Sequence, residues 1–111
     1  MPVASVPSIH ILSGASALNA VGLVPDGRVI GGLIETALYV VFGSGTSAGQ
    51  VTIEGAHSYD YAGTWAPIAT VSWVSAARVH LVAITGRHLA LRARISTAIA
   101  GGTVDVWVIG S

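Results

Sequence analysis

The chain has 111 residues, of which 52% are hydrophobic and 9% charged, and its five arginines balance five acidic residues to a net charge of zero. That length holds one domain and leaves no room for a second, catalytic one. Basic residues this sparse form no stripe for a phosphate backbone, which argues against nucleic-acid binding, and the absence of cysteine excludes disulfides and thiolate metal sites.

An ordinary soluble domain is roughly one quarter charged, so this chain has more apolar surface than a monomer readily hides. A membrane helix needs about 20 consecutive apolar residues, and the longest run, Ala37 to Phe42, is far shorter. The expected cover is therefore an assembly and not a membrane. The amino terminus, MPVASVPSIHILSG, has no basic residue before its weakly apolar stretch and is broken by Pro2 and Pro7, so it does not read as a signal peptide.

Residues 1–32 are rich in proline, glycine and small side chains, and VPDG at 24–27 is a turn signal. They read as an extended arm with one or two short strands, followed by a β-domain over 33–111. In the arm, Val3, Val6, Ile9 and Ile11 are the apolar residues available to a neighbour.

From Glu35 the segments ETALYVVFG, QVTIEG, IATVSWV, ARVHLVAI, HLALRARIST and TVDVWVIG are short, rich in β-branched or aromatic residues and bounded by Gly, Ser or Pro. This predicts an all-β fold. Val51 and Ile53 share one face against Thr52 and Glu54. Leu89, Leu91, Ala93 and Ile95 oppose His88, Arg92 and Arg94, and Val104, Val106 and Val108 oppose Asp105 and Trp107. LYVVF is apolar on both faces, as for a strand covered on both sides, one cover being a neighbouring subunit. If the last two strands form a hairpin across STAIAGG with Ile95 opposite Val104, Arg94 faces Asp105 and Arg92 faces Trp107, an ion pair and a cation–π contact that would set the register. No amphipathic helix is predicted, because SGASALNAVGLV is interrupted by glycine and asparagine and has no charged face.

Chemistry is sparse. GSGTSAG at 43–49 lacks the lysine of a phosphate-cradling loop, and the chain contains no lysine at all, which also removes Schiff-base chemistry. No G-x-S-x-G elbow occurs. Asp26, Glu35, Glu54, Asp60 and Asp105 are dispersed over separate elements, with neither a glycosidase pair nor a calcium loop. Of His10, His57, His80 and His88, the last two would face each other if ITGR made a tight turn, offering a metal site or pH switch. Solvent-facing strand histidines are the preferred reading. No enzyme activity and no cofactor are expected. Tyr59, Tyr61 and Trp65 crowd the turn HSYDYAGTW, where they could close the end of a sandwich, meet a protein partner or stack on a sugar.

The stretches SGTSAGQVTIEGAHSYDYAGTWAPIATV and LALRARISTAIAGGTVDVWVIG, with their V-T-I-E-G strand, D-x-x-G-x-W turn, R-A-R-I strand and G-G-T-V closing strand, resemble small virion proteins of tailed bacteriophages, of the head decoration or cement type. The resemblance covers about residues 40–110. It implies a jelly-roll-like antiparallel β-sandwich, a homotrimer, a seat on the capsid surface against the major capsid protein, and a chain made in the host cytoplasm. Related sandwiches serve in tails and fibres, so a carbohydrate- or receptor-binding module is the alternative. The residues expected at an interface are Val3, Val6, Ile9, Ile11, Tyr59, Tyr61, Trp65, Arg92 and Trp107.

Overall fold

The computed structural model describes residues 8–23, 33–57, 62–88 and 90–110. Eight strands follow in chain order: β1 (Ser8–Ala15), β2 (Val21–Leu23), β3 (Leu33–Phe42), β4 (Ala48–Ala56), β5 (Ala66–Ser72), β6 (Val79–His88), β7 (Ala90–Ala100) and β8 (Val104–Gly110). They build two four-stranded antiparallel sheets, β1-β8-β3-β6 and β2-β7-β4-β5. The all-β sandwich expected from the alternating segments is the observed fold.

Alternation explains how the layers close. Leu38, Val40, Phe42, Val104, Val106 and Val108 point inward from the first sheet, and Val51, Ile53, Leu91, Ala93 and Ile95 from the second, all essentially inaccessible to solvent. Period-two patterning places every second residue in this shared core. Burying each large aliphatic side chain contributes about 1.5–3 kcal/mol.

Strands β1 and β2 come from the stretch read as an extended arm with one or two short strands, and both belong to the sandwich. β1 pairs with β8 and β2 with β7, while the link between them is held to β7 by Asn19 N–H to Ile95 O at 2.8 Å and Ile99 N–H to Ser16 O at 2.9 Å. Gly22 lets the two edges meet. A Cβ at this position would lie 2.1 Å from the Ile11 carbonyl oxygen.

Two sequence expectations are overturned. β7 and β8 are not a hairpin: the Gly101–Gly102–Thr103 link carries the chain from one sheet to the other. Ile95 and Val104 do both enter the core, but from opposite layers, so Arg94 and Asp105 lie on opposite outer faces, as do Arg92 and Trp107. Nor does ITGR turn. It lies within β6, which extends from Val79 to His88 with one register shift against β3 between Thr85 and His88, so His80 and His88 share one strand and do not face each other across a hairpin.

Candidate interaction surfaces

The loop before β4 is a packed corner. Gly43 N–H donates to Thr103 O at 2.7 Å and Ser47 N–H to Ala100 O at 2.9 Å, and a Cβ on Gly101, whose φ is +77°, would come within 2.3 Å of Gly45 O. Backbone donors here serve the adjoining β7–β8 link, consistent with the loop reading of GSGTSAG.

Outer residues of the second sheet are tied together by polar contacts. Arg92 Nε donates to Glu54 Oε1 at 2.6 Å and Arg94 Nε to Glu54 Oε2 at 3.2 Å, while Arg94 Nη1 reaches Asn19 Oδ1 at 3.1 Å. The Arg92 guanidinium lies 4.4 Å from the centre of the Trp65 ring. Beside this cluster, Thr52 Oγ1 donates to Ser96 Oγ, Ser96 Oγ to Gln50 Oε1, and Gln50 Nε2 to Ser72 Oγ, at 2.8, 3.0 and 3.1 Å. One hydrogen-bonded chain thus ties β7, β4 and β5 across their outer side.

The outer face of the first sheet is different. Cross-strand register aligns His10, Trp107, Tyr39 and Leu81 in one row, Asp105, Val41 and Val79 in the next, and Ile109, Ala37 and Ala83 in a third. Leu81 is 59% exposed and Val79 57%, with Tyr39 and Trp107 also exposed. On the β1 side of this face His10 Nε2–H donates to Asp105 Oδ1 at 2.8 Å and Gly14 N–H to the same oxygen at 2.9 Å. The His10 ring stacks on Trp107, with centroids 3.9 Å apart and planes 4° from parallel.

The expected interface residues are dispersed. Trp107 is exposed on the apolar face and Arg92 half-buried on the other. Trp65 is 7% exposed, packed with Ala56 and Ala90 at the end of the second sheet. Ile11 packs against the core, and Ile9 pairs with Val108 in β1. Val3, Val6, Tyr59 and Tyr61 lie outside the described residues. Sequence reasoning missed Tyr39, Val79 and Leu81 as surface residues. Their signal was the two-sided apolarity of LYVVF and the apolar outward positions of VHLVAI.

Glu54, too, went unassigned as the partner of both arginines, because its contact with β7 spans about 40 positions. Among the described residues, no three histidine or acidic side chains gather as a metal set, and no helix is long and apolar enough to cross a membrane. No protein-family model, curated protein or solved structure matches the chain.

Proposed function

We propose that this protein is a non-enzymatic structural subunit of a tailed-phage virion, seated on the capsid and stabilising it by binding between shell subunits. The observation that carries the structural role is the apolar outer face of the first sheet, where Trp107, Tyr39, Leu81 and Val79 stand exposed together. Contiguous exposed apolar area of this kind marks a binding surface, and its centre is aromatic with a polar rim at His10 and Asp105, the usual anatomy of an interface. The virion setting rests on the resemblance of residues 40–110. The strand order, which pairs β1 with β8, β2 with β7, β3 with β6 and β4 with β5, supports the jelly-roll part of this reading, since a jelly roll is a double sheet of eight strands.

Bound only to the assembled shell, such a subunit would stabilise it by mass action. The tail or fibre sugar-binding alternative has less support, since Trp65 is buried beneath Arg92 and presents no open ring.

Quantitative mass spectrometry of purified particles from the encoding phage or prophage tests this reading. Copy numbers comparable to the main shell protein are expected. A handful would move the protein to the neck or tail, and none would overturn a virion role. Replacing Tyr39 by Glu should lower occupancy on particles while leaving the sandwich folded. A truncation testing the arm must stop at residue 7, because removing residues 1–20 deletes β1 itself.

A further inference from the structure

The four sheet edges are unequal. β1 carries two register shifts, between His10 and Leu12 and between Leu12 and Ala15. β2 is three residues long. β5 contains Pro67 and is interrupted by a register shift opposite Ile53 and Glu54. These are the devices by which proteins prevent an edge from pairing with another chain. β6 has none of them between Val79 and Ile84: its register with β3 is unbroken from Thr36 opposite Ile84 to Val41 opposite Val79, and the segment VHLVAI has neither proline nor a charged residue.

The direction of the β6 backbone groups that no described strand engages follows from one hydrogen bond. Phe42 N–H donates to Arg78 O at 2.8 Å. Antiparallel ladders alternate hydrogen-bonded and non-bonded pairs, so His80 and Val82 turn their amides toward β3, and Val79, Leu81 and Ala83 present theirs outward. The same three residues place their side chains on the apolar face.

We propose that two copies of this chain join antiparallel along β6, centred on Leu81, to make one continuous eight-stranded sheet. In that register Leu81 opposes Leu81 of the second copy and Val79 opposes Ala83, apolar against apolar with no charges meeting. The two-fold axis stands perpendicular to the sheet, so both apolar faces lie on the same side and merge into one surface of twice the size. A strand edge this regular fits a strand of the same length and spacing, and β6 itself supplies it. The dimer departs from the trimer implied by the resemblance, and it does not depend on the virion reading: particle copy number can fail while the dimer stands, and the reverse.

Sedimentation equilibrium and light scattering of the full chain over micromolar concentrations test the proposal. The expected mass is twice the 11.2 kDa chain. Leu81→Lys, which sets two like charges against each other across the axis, should return the mass to that of one chain with an unchanged circular dichroism spectrum. Leu81→Pro, which deletes an outward amide and leaves the β3 ladder intact, should do the same, and the lysine variant decides if the proline variant does not fold. Thr70→Lys on the second sheet should remain dimeric. A monomeric or trimeric wild type, an assembling Leu81→Lys variant or a dissociated Thr70→Lys variant would overturn it.

Discussion

Arg92 and Glu54, 38 positions apart, are joined Nε to Oε1 at 2.6 Å across neighbouring strands, with the Glu54 side chain only 7% exposed. Arg94 occupies the other carboxylate oxygen, so one buried anion holds two cations on β7. Replacing Glu54 by Ala leaves both guanidiniums without their counter-charge. Removing one partner of a fully buried pair costs about 3–5 kcal/mol, and screening of the partly exposed arginines reduces this to about 2 kcal/mol. Urea unfolding should show that loss, and an unchanged midpoint would mean that the cluster contributes nothing to holding β7 on β4.

Asp105 tethers β1 through both His10 and the Gly14 amide. With Asp105→Ala the acceptor shared by both donors is lost at an edge strand, at a cost of about 1 kcal/mol. Amide exchange should accelerate across Ser8–Ala15 while β4 and β7 keep their protection. Uniform acceleration over both sheets would contradict a local tether.

His80 meets Phe42 edge-on, with ring centroids 5.7 Å apart, and its Nε2 is buried with no hydrogen-bond partner among the described residues. His80→Phe keeps the aromatic contact and removes the unsatisfied nitrogen, so thermal and urea unfolding should show a gain of about 1 kcal/mol. A loss would place a hydrogen bond on that nitrogen in solution.

Gly14 and Gly101 both have positive φ, +58° and +77°. A Cβ at Gly14 meets nothing within 4 Å, whereas one at Gly101 would strike Gly45 O. Gly14→Ala should therefore lose only the left-handed backbone term of about 1–2 kcal/mol, and Gly101→Ala distinctly more. Equal losses in chemical denaturation would show that the two loops do not pack as described.

Alternation along each strand made the faces legible without a structure: Val51 and Ile53 in, Thr52 and Glu54 out, Val104 to Val108 in, Asp105 and Trp107 out. That pattern is local, since successive side chains of any strand point to opposite sides. It also anticipated six strands, while LYVVF, apolar on both faces, carried no alternation to show which side would be left exposed. Which strand lies beside which is a different kind of information. A link such as Gly101–Gly102–Thr103 can close a hairpin or cross to the other layer with the same inward residues buried, so composition and spacing allow Arg94 to face either Asp105 or Glu54. The sandwich decides between them, because β7 lies between β2 and β4 and β8 between β1 and β3. For the same reason the exposed row of Trp107, Tyr39 and Leu81 and the open edge of β6 exist only in the folded chain: three distant segments must be set side by side before their outward residues become one surface.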